Sequence, residues 1–194
     1  MMAIMFYSRM RFIVNLLPLL SAASSAGQPS RVHSALSAGK EGEIFLDDLP
    51  LKNHYSLKNC ATQATTMTTL AFDQLASSNP DINFIHTSPG IVRTNITQGF
   101  GPAINFISKT FLALLAPLLT VPVQESGERH LYAALSKDYS KVTSDSSIKQ
   151  MYRLDSKSEI CGENDALRKY RQQKTGVEIW EHTLHVFDDV CGDL

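Results

Sequence analysis

Residues Tyr55–Thr94 read YSLKNCATQATTMTTLAFDQLASSNPDINFIHTSPGIVRT, and this stretch decides the fold. Its first part carries apolar residues at spacings of three and four, which predicts a helix with one apolar face. These residues are Met67, Leu70, Ala71 and Leu75. Pro80 ends that helix, Ile82–His86 predicts a short buried strand, and Pro89 and Gly90 predict a sharp turn. The pattern is half of a βαβ unit, so we expect a ligand at the turn, beyond the carboxyl end of the strand.

The composition bounds the class of protein. The chain has 194 residues, of which 43% are hydrophobic and 19% charged, and this suits one globular domain over residues 1–194. The net charge of −1 gives no electrostatic reason to expect binding to nucleic acid or to an anionic membrane. The cysteines are odd in number and form no CxxC pattern, which favours a reduced cytoplasmic protein. They are Cys60, Cys161 and Cys191.

Other segments extend the α/β pattern. Arg31–Ser37 and Met151–Leu154 predict two more strands, and Pro122–Ser136 predicts a helix. Residues 175–191 are amphipathic and predict a C-terminal helix. We therefore expect an α/β fold in which a parallel sheet of three or four strands has helices on both faces and is incomplete at one edge.

An apolar lid is predicted over residues 95–120. Ala103–Leu119 is strongly apolar, but Lys109 and Pro117 interrupt it and it is shorter than the roughly twenty residues that a membrane span needs. We therefore expect no membrane span here. An apolar lid over a binding site favours a small lipophilic substrate.

The N-terminal residues, MMAIMFYSRMRFIVNLLPLL, allow two interpretations. Arg9 and Arg11, the apolar run after them and the small residues that complete residues 1–26 are typical of a secretory signal peptide. The apolar residues also share roughly one face of a helix that Gly27 would end. Pro18 interrupts the apolar run, which favours the helix over the signal, and the segment is too short for a membrane span.

Tyr55 and Lys58 lie one helical turn apart at the predicted start of the long helix. An ammonium near a phenol favours the phenolate and so lowers the pKa of the tyrosine. A serine hydroxyl from a neighbouring strand could hold a carbonyl oxygen beside it, which suits proton transfer during hydride transfer. By spacing alone, a solvated surface pair is the commoner explanation.

The order of several segments resembles that of the short-chain dehydrogenase/reductase family, in particular its fungal branch. The resembling segments are YSRMRFIVNLLPLL, RVHSALSAG, HYSLKNCATQATTMTTLAFDQLA, SPGIVRTNI, GERHLYAALS and VEIWEHTLHVF. The resemblance implies that Tyr55 is the catalytic acid/base, that Ser37, or less favourably Ser34, is the catalytic serine, and that Lys58 tunes Tyr55. It also implies a homodimer paired through the helices that flank Tyr55.

The same resemblance implies a nicotinamide cofactor, NADP or NAD. Four residues match the Pro-Gly turn that lies against the nicotinamide in this family. They are Pro89, Gly90, Ile91 and Thr94. The implied activity is NAD(P)-dependent hydride transfer to or from a carbonyl or alcohol of a lipophilic small molecule, in the setting of secondary metabolism.

Two departures from the family pattern define the alternative. The family lysine follows the tyrosine by four residues, a position that Asn59 occupies here, and no Gly-x-x-x-Gly-x-Gly motif occurs in the chain. We therefore expect a partial Rossmann-like, doubly wound parallel sheet, truncated so that it lacks the N-terminal Gly-rich βαβ half. The alternative function is a catalytically inactive remnant or an interaction protein.

A metal site is not expected. His182 and His185 lie three apart on the predicted last helix, but the sequence offers no third ligand at a suitable spacing. His33 and His86 lie inside predicted strands and are expected to be core or sheet-edge residues.

Overall fold

The computed structural model describes residues 1–92, 120–139 and 151–192. A π-helical segment, Ala3–Tyr7, leads directly into helix α1, Ser8–Ser25. The remaining helices are α2 at Leu57–Ser78, α3 at Val123–Leu135, α4 at Asp165–Gln172 and α5 at Thr175–Cys191. The strands are β1 at Arg31–Ala35, β2 at Asn83–Thr87 and β3 at Met151–Leu154. Thr94 and nearly all of the predicted lid lie outside the described residues.

The three strands form one parallel sheet in the order β1-β2-β3. Val32 pairs with Phe84, and Phe84 pairs with Met151, so these three side chains point to the same face. All five residues of β2 are buried, as expected for the central strand of a parallel sheet that is covered on both faces. The prediction of a parallel sheet flanked by helices is confirmed in this coarse form.

Helices cover the two faces unequally. The larger apolar core joins α1, α2, α4 and α5 to one face of the sheet, with Phe6, Phe72 and Phe84 fully buried within it. The smaller core lies on the other face, where Ala133 of α3 and Tyr139 pack against Ile85 and Leu154. The fold is therefore layered, with the sheet between a thick helical layer and a thin one.

Helix α2 begins two residues later than the sequence pattern suggests. Ser56 has an extended backbone, and its hydroxyl accepts a hydrogen bond from the Asn59 amide at 3.0 Å, which makes Ser56 the N-cap. Tyr55 therefore precedes the helix, while Lys58 lies in its first turn. The prediction that Tyr55 and Lys58 both lie on the helix is wrong for Tyr55, because the serine side chain fixes the start.

The N-terminal segment is a longer helix than expected. Ala3–Ser25 is helical over 23 residues and, among the described residues, is the one helix long and apolar enough to cross a membrane. The expectation that it is too short to do so is therefore wrong. A core helix or a signal sequence has the same length and composition. Phe6 and Met10 are nevertheless fully buried against the rest of the fold.

Helix α4 was not expected from the sequence. It is short and strongly charged, and only Leu167 and Tyr170 are buried. Its N-terminus is capped locally, because Asn164 accepts a hydrogen bond from the Leu167 amide at 2.8 Å, and near its C-terminus Arg171 pairs with Asp73 of α2 at 2.8 Å.

Candidate functional site

The carboxyl ends of the three parallel strands form one edge of the sheet, which we call the carboxyl edge. The Ser37 turn follows β1, the Ser88–Gly90 turn follows β2, and Asp155 follows β3. Helix α2 connects parallel strands and therefore runs opposite to them, so that its N-terminus and Tyr55 lie toward this edge. In open parallel sheets this is the edge at which ligands bind.

Gly90 is a position that only glycine satisfies. Its φ of +72° lies in the left-handed region, and a Cβ there would lie 2.8 Å from the Cβ of Ser156. The turn is also bonded to the segment before α3, because the Val121 amide donates a hydrogen bond to the Ile91 carbonyl at 2.9 Å. Ile91 itself is 59% exposed, so its side chain is available to a ligand.

Helix α3 packs over the ends of β2 and β3. Arg129 donates to the carbonyl of Ser156 and forms an ion pair with Glu125, and these bonds fix the loop after β3 to the helix. Between helix and strands lies a cavity of about 10 Å³, enough for a single water. Its lining is largely polar: Thr87, Ser88, Pro89, Ser126, Arg129, His130, Asp155, Ser156 and Ser158.

Two histidines stack between β1 and α3. The rings of His33 and His130 lie 5.4 Å apart at an interplanar angle of 24°. His33 Nε2 lies 3.0 Å from Thr87 Oγ1, and His130 Nδ1 lies 2.7 Å from the Ser126 carbonyl, to which it donates. Burial, and then the neighbouring His130, lower the pKa of His33 below its usual value. The stacked pair packs α3 against the sheet.

Ser37 lies beyond the end of β1, in a turn closed by a bond from the Lys40 amide to its carbonyl at 3.0 Å. It is half-buried. Ser34, the less favoured alternative, is buried within β1, and its hydroxyl lies 3.3 Å from the Arg9 guanidinium, which donates to it. Ser37 is therefore the more accessible of the two hydroxyls.

A buried polar network anchors the loop that follows Ser37. The carboxylate of Glu41 pairs with Arg153 of β3 at 2.9 Å and accepts a hydrogen bond from Thr69 of α2 at 2.8 Å. Arg153 also donates to the Gly162 carbonyl at 2.6 Å. The side chains of Glu41 and Arg153 are 0% and 5% exposed. Each charge is therefore buried and is compensated by the other. Sequence analysis missed this pair because the two residues are 112 positions apart.

His86 completes the network. Its Nδ1 lies 2.9 Å from Thr69 Oγ1, and since that hydroxyl already donates to Glu41, the histidine is the donor. Burial, and then the positive charges of Arg153 and Arg9, lower the pKa of His86 to about 3. The prediction that His86 is a core residue is confirmed, because it is fully buried.

Asp48 organises the segment before Tyr55. Its carboxylate accepts hydrogen bonds from the backbone amides of Lys52, Asn53 and His54 at 2.7–2.9 Å and from His54 Nδ1 at 3.0 Å. Burial alone would raise the pKa of Asp48, but these donors outweigh it and lower the pKa to about 2. The one signal available in the sequence is an acidic residue seven positions before the candidate tyrosine.

Tyr55 and Lys58 are both exposed. The Tyr55 hydroxyl is 3.6 Å from the sulfur of Met1, and the side chain is 51% exposed. Within the described residues, no hydrogen bond joins Tyr55 with Ser37 or with Lys58. Asn59, which stands where the family has its lysine, donates to the His54 carbonyl at 2.8 Å and so secures the same segment.

The described residues offer a turn for one end of a dinucleotide but no phosphate-binding loop. Pro89, Gly90 and Ile91 form an open turn at the carboxyl edge. Within the described residues, β1 is not followed by a Gly-rich turn directly into a helix, the arrangement that binds pyrophosphate. In the described parts of the chain, no group of three His, Cys, Asp or Glu residues could hold a metal ion.

Three fungal proteins are similar to this chain, whereas no protein-family model matches it. Oxidoreductase AN1596 of Emericella nidulans is 36% identical over 206 residues, which cover 96% of this chain and 60% of the relative. Oxidoreductase lepF of Aspergillus flavus is 32% identical, covering 95% and 61%. Short-chain dehydrogenase/reductase SAT2 of Stachybotrys chartarum is 25% identical, covering 96% and 57%. The chain is therefore similar over nearly all of its own sequence to fungal proteins named as oxidoreductases, and it spans about 60% of the length of the first two.

Proposed function

We propose that this chain is part of an oxidoreductase of the short-chain dehydrogenase/reductase type, which transfers hydride between NADP or NAD and a carbonyl or alcohol of a lipophilic small molecule. The observation that carries the proposal is the similarity to fungal oxidoreductases over 96% of the chain. The open Gly90 turn at the carboxyl edge of a parallel sheet supports it, because this is where such a ligand would bind.

In this proposal the chain's own side chains manage the substrate oxygen. Tyr55 donates or accepts the proton, Ser37 holds the oxygen by a hydrogen bond, and Lys58 tunes Tyr55, as the resemblance implies. The Asp48 carboxylate acts as a positioning group, since it fixes the three residues that precede Tyr55. The buried Glu41–Arg153 pair positions the loop after Ser37 in the same way.

The cofactor would supply or accept the hydride. Pro89, Gly90, Ile91 and Thr94 would contact its nicotinamide end, as the resemblance implies. The side chain of Ile91, which is exposed at this turn, would present an apolar surface to a lipophilic substrate. The predicted lid over residues 95–120 would cover that surface, and a role in secondary metabolism would agree with such a substrate.

The second candidate is a protein that does not turn over substrate, either a remnant or an interaction protein. Asn59 favours it, because the residue at the family's lysine position is engaged with the His54 carbonyl and carries no charge. The absence of a Gly-rich phosphate loop from the sequence favours it as well.

Helix α1 supports proposals for the location and the assembly of the protein. Its buried residues make it a structural part of the fold, which favours a protein that keeps residues 1–26 and stays in the cytoplasm over a secreted one. Its outer face carries Phe12, Leu16 and Leu19, which are 70%, 48% and 68% exposed. In the proposed homodimer this face would pack against a second chain.

Titration of the purified chain with NADPH, followed by nucleotide fluorescence, tests the enzyme proposal. Saturable binding, together with NADPH oxidation in the presence of lipophilic ketones, is the expected result. Absence of binding at millimolar NADPH would remove the enzyme function for this chain and leave the second candidate.

The variant Tyr55→Phe tests the residue assignment. It should leave NADPH binding unchanged and lower kcat by about 10²–10⁴-fold, since it removes the proton donor alone. Tyr132→Phe is the matched control, because Tyr132 is 50% exposed, close to the 51% of Tyr55, and lies on α3. Equal activity in both variants would contradict the role of Tyr55.

A further inference from the structure

Helix α3 is attached to the sheet by few apolar contacts. Ala133 is the one apolar residue of this helix that is buried, and it lies in the smaller core with Ile85 and Leu154. The larger apolar side chains of the helix are exposed: Val123, Leu131 and Leu135. Burial of apolar surface therefore contributes little to this attachment, and polar contacts carry much of it.

The polar contacts join α3 to β1. The His33 and His130 rings stack with their centroids 5.4 Å apart, and the Arg31 guanidinium donates a hydrogen bond to the Ala134 carbonyl at 2.5 Å. Arg31 and His33 are two positions apart on one strand, so both side chains point to the face of the sheet that α3 covers. The attachment therefore depends on two imidazoles and a guanidinium that share this face.

The guanidinium is already incompletely compensated. Arg31 Nε is buried and has no hydrogen-bond partner among the described residues, and burial lowers the pKa of this side chain. A further positive charge under α3 is therefore unfavourable, because the same partly buried surface would then hold more than one cation.

Protonation of the stacked pair would add such charges. His33 Nε2 lies 3.0 Å from Thr87 Oγ1, and His130 Nδ1 donates to the Ser126 carbonyl, so that neither contact within the described residues supplies a carboxylate to the rings. Each neutral ring still has one nitrogen that can bind a proton. Two imidazolium rings in contact repel each other, and burial further opposes the charge on His33.

Other groups on the packed elements compensate this charge only in part. Besides Arg31, the charged and titratable groups around the pair are Arg129 of α3, Tyr139 after α3, Tyr152 of β3 and Asp155 after β3. Burial raises the pKa of both tyrosines, so they stay neutral below pH 8. Arg129 pairs with Glu125, and Asp155 accepts hydrogen bonds from two backbone amides. Asp155 can therefore offset one imidazolium, which leaves the other and Arg31 without a counter-charge.

We infer that α3 is a pH-sensitive cover of the carboxyl edge, which packs on the sheet while the stacked histidines are neutral and leaves it when both are protonated. Its release would also free the loop after β3, because Arg129 bonds the Ser156 carbonyl and Ser156 lies against Gly90. The inference does not depend on the proposed redox function, since it concerns the packing of one helix.

Amide hydrogen exchange of the full chain at pH 8 and pH 5, corrected for the intrinsic exchange rate at each pH, tests this inference. The pKa of His33 is lowered in the folded state, so its contribution to packing is present above about pH 6.5 and is lost as the pH falls below that value. Protection of the α3 amides at residues 131–135 should therefore fall by about 10-fold or more at pH 5. Protection of α2, which packs on the opposite face, should fall less. Unchanged protection in α3 would overturn the inference, and so would an equal loss in both helices, which indicates global unfolding.

Phenylalanine variants test the assignment to the stacked pair. His33→Phe/His130→Phe keeps two stacked rings but removes their titration, and its α3 protection should be the same at pH 5 and pH 8. His130→Phe alone should lose part of the response, and it keeps the test valid if the double variant does not fold. His185→Phe, at a side chain of α5 that is 74% exposed, is the control and should respond like the wild type. A full wild-type response in His130→Phe would overturn the inference.

Discussion

Among single residues, Gly90 is one at which a side chain would be strained both by backbone conformation and by close contacts. Gly90→Ala would place a Cβ 2.8 Å from the Ser156 Cβ and 3.3 Å from Val121 Cγ2, in a backbone conformation with φ of +72°. We expect the free energy of unfolding to fall by about 1–3 kcal/mol, as for other strained left-handed positions. Urea unfolding measures this change.

Gly127→Ala is the control for this prediction. Gly127 lies within α3, and nothing is within 4 Å of the position of its Cβ. Alanine should there stabilise the protein by about 0.5–1 kcal/mol, because glycine has a lower helix propensity. If both alanine variants had the same stability, the close approach of Gly90 to Ser156 would not exist in solution.

Asp48 links stability to pH. Since its pKa is lowered to about 2 in the folded state, from an ordinary value of 3.8, its carboxylate stabilises the fold at neutral pH, and this contribution is lost as the pH falls from about 4 toward 2. Asp48→Asn should lower stability at pH 7 and flatten its dependence on pH between 4 and 2. Thermal unfolding across this range measures both effects, with the exposed neighbour variant Asp47→Asn as control. A wild-type slope in Asp48→Asn would contradict the assignment.

The sequence patterns predicted which residues are important more accurately than they predicted the contacts of those residues. Gly90 was predicted as a turn residue because Pro-Gly after a buried strand is a local signal. The role of Asp48 has no such local signal. Its three backbone partners follow it closely in sequence, but they reach its carboxylate only when the loop is folded. Tyr55 was placed on α2 because periodicity does not show that Ser56, one residue on, caps the helix.

At the scale of elements, α2 shows what hydrophobic periodicity does not detect. Its apolar face was predicted, but Gln63, Thr66 and Thr69 are also buried. They bind the loop after β1: Gln63 Oε1 accepts from the Phe45 amide at 2.9 Å, and Thr66 accepts from the Gly42 amide at 2.9 Å. Polar residues normally indicate a solvent-exposed face, so their burial depends on partners far away in the sequence.

At this scale the prediction concerns the buried Glu41–Arg153 pair, which joins the loop after β1 to β3. Glu41→Gln leaves the Arg153 charge buried and uncompensated, and we expect it to destabilise the fold by about 3–5 kcal/mol. The double variant Glu41→Leu/Arg153→Met should lose less than the sum of the two single changes, since it leaves no unpaired charge. Urea unfolding followed by the fluorescence of Trp180, which packs against the main core, measures each variant.

A surface pair controls for the effect of charge alone. Asp165→Asn removes one partner of Arg168, in a pair whose side chains are 97% and 52% exposed, and it should leave stability unchanged. Strict additivity of Glu41→Leu and Arg153→Met would contradict direct coupling between Glu41 and Arg153.

At the scale of the whole molecule, the order of strands and helices was largely accessible from sequence. β3 was predicted over the residues it occupies, and β2 was predicted one residue early. Helix α4 was not predicted because it has too few apolar residues to show a helical period. Its contact with Asp73, on another helix, stabilises it. The fungal oxidoreductases to which the chain is similar are longer, and it spans 60% of the first of them.

The contacts of the N-terminal helix favour a structural role over that of a cleaved signal peptide. Four of its residues and the preceding Met2 are buried in the main core; the four are Phe6, Tyr7, Met10 and Ile13. At about 1.5–3 kcal/mol for each buried side chain, their removal would cost on the order of 8–15 kcal/mol, as much as the entire stability of a typical domain. Tyr7 also bonds His182 of α5 at 2.9 Å, and Arg11 lies over the Phe187 ring.

A chain that begins at Gln28 should therefore fail to fold, which circular dichroism and the loss of a cooperative urea transition would show. A chain lacking only the last two residues, which removes no part of α1, is the control and should unfold like the wild type. The mass of the protein purified from a eukaryotic host should include residues 1–26, because their removal would expose the main core. A mature product that starts near Gln28 and unfolds cooperatively would instead make α1 a signal peptide, and the proposed cytoplasmic location would be wrong.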